Sequence, residues 1–285
     1  MIFWIASYPK SGNTWLRALI SAYYYSKDGS YDETLMENIR QFPEKQFFSD
    51  FDYDPKIVTD TSRLWIKAQE KINQDNKLHF FKTHNICGKI NNQSFTNKEN
   101  SIGCIYVIRD PRNVITSMKN HYELNDEEAF TWMTNSKKFI YDVNNFETDG
   151  FSDFQFISSW NNHYMSWKNQ KQIPIKMIRY EDLLNETYIV FREVIEFINH
   201  TINSNEKLNN NKLKNAVQST SFDKLKSREE RYGFKESVFS KKKNKIPFFY
   251  LGPKNDWNKI LKDDLRLKIE NFFQRDLIEN GYCKI

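Results

Sequence analysis

Four short runs rich in β-branched and aromatic residues constrain the fold of this chain more than any other feature. They read IFWIA (2–6), LHFFK (78–82), CIYVI (104–108) and IKMIR (175–179). Such nearly continuous apolar runs are typical of strands covered on both faces, as in a parallel sheet with helices on each side. The sequence therefore predicts an α/β fold with a central, mostly parallel sheet flanked by helices.

Helical patterns follow three of these runs. Apolar residues recur at helical spacing after the first run, from Trp15 to Tyr23, and after the third run, from Val114 to Met118. Pro111 suits the first turn of that second helix, and the fourth run leads into EDLLNETYIVFREVIEFI (181–198). Loops that connect parallel strands to helices lie at one edge of the sheet, where open α/β sheets bind their ligands.

Length and charge limit the class of protein. The 285 residues, of which 39% are hydrophobic, suffice for one large core, so we expect a single domain over 1–285. The net charge of +5 is spread along the chain apart from KKKNK (241–245), which favours a small anionic ligand over nucleic acid. No apolar run approaches the roughly 20 residues of a membrane span, and Met1 leads directly into the first strand. We expect a soluble, cytoplasmic protein without a membrane span.

The cysteines indicate neither a disulfide framework nor a zinc site. Cys87, Cys104 and Cys283 are odd in number and irregularly spaced. We expect them to be reduced and structural.

Two polar, aromatic-rich stretches, 26–75 and 122–160, have no clear pattern. The simpler interpretation is that their aromatic residues pack on the core. The alternative is that some of them form the wall of an acceptor pocket, since ligand sites are often lined by aromatic residues. The residues concerned are Phe42, Phe47, Phe48, Phe51, Tyr53, Trp65, Phe130, Trp132 and Phe139.

The first predicted loop, within SYPKSGNTW (7–15), has the features of an anion-binding loop. A loop that opens a helix presents unpaired backbone N–H groups and the positive end of the helix dipole. Gly12 allows close approach of the backbone, Ser11, Asn13 and Thr14 add donors, and Lys10 adds a charge. The loop lacks the leading glycine and the Gly-Lys order of a Walker A motif, which disfavours a nucleoside triphosphatase.

Two further strand ends carry polar residues to the same edge. KTHN supplies Lys82 and His84, a cation and a base on one side of an extended segment. VIRDPRNVITS (107–117) supplies Arg109 at a strand end and Ser117 in the following helix, and the pair is suited to a second phosphate. The structural alternatives are a packed histidine at 84 and an ion pair of Arg109 with Asp110 or Glu181.

These motifs together resemble those of the cytosolic-type sulfotransferases that use 3′-phosphoadenosine 5′-phosphosulfate (PAPS). SYPKSGNTW is similar to the family's 5′-phosphosulfate loop, usually written Y-P-K-S-G-T-T-W, and KTH to the strand with its catalytic histidine. VIRDPRNVITS resembles the 3′-phosphate segment, RYEDL (179–183) the adenine-side tyrosine segment, and STSFDKL (219–225) the T-S-F loop. The five motifs occur in the family's order.

The resemblance implies a role for each matching residue. Lys82 and His84 match the catalytic lysine and the general base, and Lys10 would act both in binding and in catalysis. The implied contacts to the donor are the 5′-phosphosulfate for Lys10, Ser11, Gly12, Asn13 and Thr14, the 3′-phosphate for Arg109 and Ser117, and the adenine for Trp15, Tyr180, Thr220, Ser221 and Phe222.

The C-terminal motif departs from the family's pattern. The family has R-K-G-x-x-G-D-W, whose first three residues close over the 3′-phosphate, whereas this chain reads YLGPKNDW (250–257). Gly252 matches, but Tyr250 and Leu251 replace the basic pair. Lys254 or the run 241–245 is a candidate for the missing charge. The family's dimerisation signature after D-W is not found either, so the oligomeric state is open.

The sequence thus predicts a P-loop-like enzyme that transfers a sulfuryl group from PAPS to a hydroxyl or, secondarily, an amine. The acceptor would be a small molecule or a glycan, the product nucleotide would be adenosine 3′,5′-bisphosphate (PAP), and no metal would be required. A nucleotide kinase that uses ATP and magnesium is the main alternative, and a non-catalytic module that binds nucleotide, protein or glycan is the third. The identity of the acceptor is not encoded in any motif.

Overall fold

The computed structural model describes residues 1–239 and 245–283. The strands, in chain order, are β1 (Ile2–Ser7), β2 (Ile39–Gln41), β3 (His79–Thr83), β4 (Lys89–Ile90), β5 (Gln93–Ser94), β6 (Ser101–Ile108), β7 (Phe139–Ile140), β8 (Gln155–Phe156), β9 (Ile175–Arg179), β10 (Val238–Phe239) and β11 (Lys245–Ile246).

The α-helices, in the same order, are α1 (Asn13–Tyr25), α2 (Val58–Ser62), α3 (Trp65–Ile72), α4 (Pro111–Tyr122), α5 (Asp126–Thr134), α6 (Phe146–Asp149), α7 (Trp160–Asn169), α8 (Tyr180–Asn185), α9 (Thr187–Thr201), α10 (Asn210–Ser219), α11 (Phe222–Tyr232), α12 (Trp257–Ile260), α13 (Asp263–Phe272) and α14 (Gln274–Glu279). Short 3-10 helices span Glu33–Asn38, Lys45–Phe48, Asn73–Asp75 and Gly252–Lys254.

Five strands form one parallel sheet in the order β2-β3-β1-β6-β9. The four predicted strands are all present in it, so the expected α/β architecture is confirmed. The fifth strand, β2, lies in the unassigned stretch 26–75 and was missed because it is only three residues long with a single buried side chain. Short antiparallel pairs, β4–β5, β7–β8 and β10–β11, lie outside this sheet.

Both faces of the central sheet are covered. Consecutive side chains of a strand point to opposite faces, and Phe3 and Trp4, both fully buried, accordingly belong to two different apolar clusters. The cluster of Phe3 includes Leu19 of α1 and Phe191 of α9, whereas the cluster of Trp4 includes Trp167 of α7. Burial on both faces explains why these strands have continuous apolar sequences.

The simpler interpretation of the two aromatic-rich stretches holds for several of their residues. Phe42, Phe48 and Trp65 are at least 98% buried and belong to the same cluster as Trp4. Phe139 is 40% exposed, and the remaining rings, Phe47, Phe51, Tyr53, Phe130 and Trp132, are partly buried against the same cluster. Core packing rather than ligand contact therefore accounts for the most buried of these rings.

The described residues contain no helix that is both long enough and apolar enough to cross a membrane. All three cysteines are free thiols, with Cys104 buried and Cys87 and Cys283 partly exposed.

The start of α4 is fixed by a buried ion pair. Pro111 occupies the first turn, as predicted, and the Asp110 side chain accepts a hydrogen bond from the backbone N–H of Arg112 at 2.9 Å. The same carboxylate pairs with the Arg112 guanidinium at 2.7 Å, and the two side chains are 6% and 4% exposed. Glu270 of α13 adds a second carboxylate at 2.9 Å from Arg112.

We predict that Asp110→Ala lowers the free energy of unfolding by about 3–5 kcal/mol, because it leaves a buried guanidinium short of one partner and α4 without its cap. Asp32→Ala is the matched control, since Asp32 also caps a helix and pairs with an arginine, Arg228, but at an exposed surface. The control should cost about 1 kcal/mol in urea denaturation. Equal losses in the two variants would contradict the assignment.

Candidate active site

The loop of residues 8–12 occupies the centre of the carboxyl edge because β1 lies between β3 and β6. Lys10 and Gly12 both adopt positive φ angles, +66° and +103°. A Cβ atom on Gly12 would lie 2.5 Å from a ring carbon of Tyr180. Both the backbone angle and the close contact therefore require glycine at position 12.

The polar side chains of the loop divide into two groups. The Asn13 amide donates to the Ile5 carbonyl at 3.0 Å and to Ser7 Oγ at 3.2 Å, so it braces the loop. In contrast, the Ser11 hydroxyl is buried without a hydrogen-bond partner in the described part of the chain. An unsatisfied buried hydroxyl at a helix start fits a site whose ligand accepts a hydrogen bond.

Lys10 is covered by an aromatic ring. Its Nζ atom lies 4.1 Å from the centre of the Phe248 ring. Burial lowers the pKa of Lys10 to about 7, and the cations of Arg109 and Lys82 act in the same direction, against the carboxylate of Glu236. A bound anion would restore the full charge of this lysine.

A cluster of charges, formed by Thr14, Arg17, Lys82 and Glu236, lies next to the loop. Glu236 accepts hydrogen bonds from Thr14 Oγ1 at 3.0 Å, from Lys82 Nζ at 3.1 Å and from the Arg17 guanidinium. Burial acts to raise the pKa of Glu236, but Lys82 and Arg17 hold it well below the ordinary value. The structure thus places an anion against Thr14, a predicted donor-binding residue, and Lys82, a predicted catalytic residue.

Arg17 and Glu236 were not identified from the sequence. An arginine between the apolar residues Leu16 and Ala18 was a signal available in the sequence. In the structure Arg17 is only 5% exposed. No motif marked Glu236. Its position depends on how the segment after α11 returns to the loop, and a sequence pattern does not encode such a contact.

His84 is held by the end of β1. Its Nδ1 atom lies 2.7 Å from the Ser7 carbonyl oxygen, so Nδ1 carries the proton and Nε2 is the free, basic nitrogen. Burial, with a further contribution from Lys82, lowers the pKa of His84 to about 3. This value lies well below the ordinary histidine pKa of about 6.5, so neutral imidazole predominates at neutral pH.

A buried histidine of α7 supports the backbone of His84. His163 Nε2 donates to the His84 carbonyl at 2.9 Å, and Tyr106 donates its hydroxyl proton to His163 Nδ1 at 2.7 Å. His163 is fully buried, and burial lowers its pKa to about 4. Sequence reasoning missed this residue, because a histidine within a helix has no distinguishing pattern.

The predicted 3′-phosphate residues lie together. Arg109 donates to the Lys10 carbonyl at 3.0 Å and approaches Ser117 Oγ at 3.4 Å. The alternative partners of Arg109 are engaged elsewhere, Asp110 with Arg112 and Glu181 Oε1 with the Asp110 N–H. Arg109 Nε is buried without a partner among the described residues, as expected of a group that awaits a ligand.

Ser117 has a further neighbour that the motif comparison missed. Asn255 donates from Nδ2 to Ser117 Oγ at 3.0 Å and accepts from the Thr116 hydroxyl at 2.6 Å. Asn255 stands where the family's C-terminal motif has its second glycine. It therefore brings a neutral amide to the predicted 3′-phosphate site.

The predicted adenine-side residues also converge. Trp15 contacts the Tyr180 ring edge to face at 5.9 Å and donates from Nε1 to the Thr220 carbonyl at 3.0 Å. The Thr220 hydroxyl donates to the Ala216 carbonyl at 2.8 Å, so it stabilises its own helix end. Ser221 is the residue before α11, and Phe222 is the first residue of that helix.

Tyr180 and Gly252 each have a packing role as well. The Tyr180 ring centre lies 4.1 Å from the Arg109 guanidinium carbon, and the same ring packs closely on Gly12 of the loop. Gly252 has φ of +51°, and a Cβ atom there would lie 2.2 Å from the Phe222 ring. The glycine of the C-terminal motif is therefore required by its contact with Phe222.

Among the described residues, no contact joins the candidate lysines of the C-terminal region to Arg109 or Ser117. Lys254 is exposed at the end of its 3-10 helix, and Tyr250 is 49% exposed. Residues 240–244, which include most of the lysine run, lie outside the described residues, and Lys245 is exposed in β11. A charge supplied to the 3′-phosphate by these lysines stays a prediction.

Comparison with known proteins agrees with this fold. The family model of the sulfotransferase domain matches residues 2–281. The chain therefore belongs to the sulfotransferase domain family, and the expectation of a PAPS-dependent sulfotransferase is confirmed at the level of the enzyme class.

Individual relatives are distant but match over nearly the whole chain. The luciferin sulfotransferase of Photinus pyralis is 22% identical, over 98% of this chain and 72% of its own. Mouse sulfotransferase SULT7A1, solved in complex with PAP, is 18% identical with a TM-score of 0.56, over 96% of this chain and 83% of its own. Retinol dehydratase, solved with androsterone and the inactive cofactor PAP, is 14% identical with a TM-score of 0.58, over 97% of this chain and 80% of its own.

We predict that His163 makes the stability of the protein dependent on pH. The unfolded chain protonates a histidine below about pH 6.5, whereas folded His163 stays neutral down to about pH 4. Stability is therefore lost as the pH falls through this window, by about 1.4 kcal/mol per pH unit from this residue.

Urea denaturation at several pH values between about 7 and 5 tests this prediction. His163→Asn should flatten the pH dependence by about one proton, whatever its effect on stability at pH 7. His200→Asn, at an exposed position near the end of α9, should leave the slope unchanged. The prediction fails if the His163 variant keeps the wild-type slope.

Proposed function

We propose that this protein transfers a sulfuryl group from PAPS to a hydroxyl of a small-molecule or glycan acceptor, with an amine as the alternative nucleophile. One observation carries the proposal: a neutral histidine with an unprotonated Nε2 lies beside two cations and a hydroxyl donor that already hold the Glu236 carboxylate. The PAP complexes of SULT7A1 and retinol dehydratase support the choice of donor.

The residues fit such a donor. Lys10, Ser11 and Thr14, with the backbone N–H groups of the loop, would hold the 5′-phosphosulfate, and the unpartnered Ser11 hydroxyl supports this. Arg109 and Ser117 would hold the 3′-phosphate. The aromatic residues Trp15, Tyr180 and Phe222 would surround the adenine.

His84 would act as the general base. When bound, the donor supplies the sulfuryl group, whose bond to the bridging phosphate oxygen breaks with its electron pair as the acceptor oxygen bonds to sulfur. His84 Nε2 takes the acceptor's proton in this step, while the Ser7 carbonyl orients the ring through Nδ1. Lys10 stabilises the charge that develops on the bridging oxygen of the leaving phosphate, which becomes PAP, and Lys82 stabilises the transferring group or the leaving phosphate. We propose that these lysines make a metal unnecessary.

Thermal shift of the protein with PAP, with ATP and magnesium, and with neither nucleotide tests the donor class. PAP without metal should raise the melting temperature, whereas ATP with magnesium should have a smaller effect than PAP. A larger response to ATP with magnesium would favour the kinase alternative. Transfer from labelled PAPS to a panel of hydroxyl and amine acceptors, with and without a chelator, then identifies the acceptor and tests the prediction that no metal is needed.

We predict that His84→Ala lowers kcat by about 10²–10⁴-fold while the affinity for PAP changes little, since the base faces the acceptor. His200→Ala, which removes an exposed histidine, is the control and should have wild-type kinetics. Steady-state kinetics and PAP titration of both variants provide the measurement. A folded His84→Ala protein with wild-type kcat would assign the proton transfer to another group.

We predict that Arg109→Ala removes most of the discrimination between PAPS and adenosine 5′-phosphosulfate, which lacks the 3′-phosphate. A charge-assisted contact to phosphate is worth roughly 1.5–3 kcal/mol, or about 10–150-fold in affinity. Competition binding of the two nucleotides measures the ratio, and Lys254→Ala is the comparison. An equal loss in Lys254→Ala would mean that the C-terminal motif supplies the charge, and no loss in either would remove the 3′-phosphate from this site.

A further inference from the structure

The charge cluster beside the loop contains two residues without an assigned role. Arg17 lies three residues after Thr14 on α1, so the two side chains project from the same face of the helix. The Arg17 guanidinium is buried, with one nitrogen on the Ile39 carbonyl at 2.7 Å and another on Glu236. The structure therefore holds a fixed guanidinium one helical turn beyond the anion-binding loop.

The contacts of Glu236 resemble those of a bound ligand. Its Oε1 atom accepts hydrogen bonds from Arg17 and from Lys82 at 3.1 Å, and its Oε2 atom accepts one from Thr14 at 3.0 Å. Two cationic donors and a hydroxyl around one anionic group are an arrangement by which proteins bind sulfate and phosphate groups. Two of these hydrogen-bonding side chains, Thr14 and Lys82, belong to the proposed PAPS site. Glu236 therefore occupies space that PAPS requires.

We propose that Arg17, together with Thr14 and Lys82, binds the transferring sulfuryl group, and that Glu236 holds this subsite as an internal anion until the donor displaces it. The inference rests on the proposed function. Arg17 would then contact the reacting group directly. The phosphosulfate would take the place of the Glu236 carboxylate when PAPS binds.

The balance of charge favours such an exchange. Two cations, Arg17 and Lys82, hydrogen-bond to the single carboxylate of Glu236, so their charge is only partly compensated in the site without donor. The phosphosulfate carries two negative charges and more oxygens than the Glu236 carboxylate. It can therefore accept more hydrogen bonds from the surrounding side chains. The carboxylate partly compensates the buried cations in the absence of donor, at the expense of donor affinity.

Removal of the competing charge tests the role of Glu236. Glu236→Gln keeps the size of the side chain and should tighten the binding of PAPS by about 10-fold or more, measured by calorimetry without acceptor, and that of PAP by less, because PAP has no sulfuryl group to displace the glutamate. Glu44→Gln is the control, because Glu44 is half-buried near the same cations but hydrogen-bonds to Gln46. The control should bind PAPS within about 3-fold of wild type. Unchanged or weaker binding in Glu236→Gln would make the glutamate a purely structural partner and overturn this part.

Replacement of the pair separates catalysis from folding. Arg17→Met should lower kcat by at least about 10-fold and weaken PAPS more than PAP, since PAP lacks the sulfuryl group. The double variant Arg17→Met/Glu236→Gln leaves no unpaired charge on either residue, so it should be the better folded protein. It should nevertheless keep the low kcat of Arg17→Met. A double variant with kcat within about 3-fold of Glu236→Gln would show that Arg17 serves only to pair with Glu236.

Failure of the proposed function gives a different result. In that case the wild-type protein itself neither binds PAP nor transfers label from PAPS, before any variant is compared. A wild-type protein that does both, with variants that do not follow the pattern above, would overturn only the roles of Arg17 and Glu236.

Discussion

The burial of several cations at one edge of a parallel sheet is the constraint on which the rest of the site depends. The registers of β3 and β6 against β1 bring Lys82 and Arg109 to the two sides of the loop that carries Lys10. Buried like charges are unfavourable unless an anion compensates them. The fold supplies Glu236 for this purpose, and the proposed donor supplies a better-matched anion.

The state of His84 depends on the same cluster. Burial and the charge of Lys82 keep its imidazole neutral, and the Ser7 carbonyl selects the tautomer with a free Nε2. A base with such a low pKa stays available at neutral pH but accepts a proton weakly. A bound acceptor and donor would change both the burial and the net charge around His84, so the proposed donor would also alter the pKa of this histidine.

The sequence predicted most of the sheet and the set of motif residues, because continuous apolar strands and strand-to-helix loops leave local patterns. It missed β2, whose three residues owe their conformation to pairing with β3. It also missed Arg17, Glu236, His163 and Asn255, since each acquires its role through contacts with distant parts of the chain. The shift in the pKa of His84 was equally inaccessible, because burial is a property of the folded chain.

A crystal structure of the protein in complex with PAPS, without acceptor, tests the account most directly. The account predicts the 5′-phosphate within hydrogen-bond distance of the loop N–H groups and Lys10, the sulfuryl group on Thr14, Arg17 and Lys82, and the 3′-phosphate on Arg109 and Ser117. It also predicts that the Glu236 carboxylate has left its present position. A complex with PAPS bound elsewhere, or with Glu236 still between Arg17 and Lys82, would contradict the account.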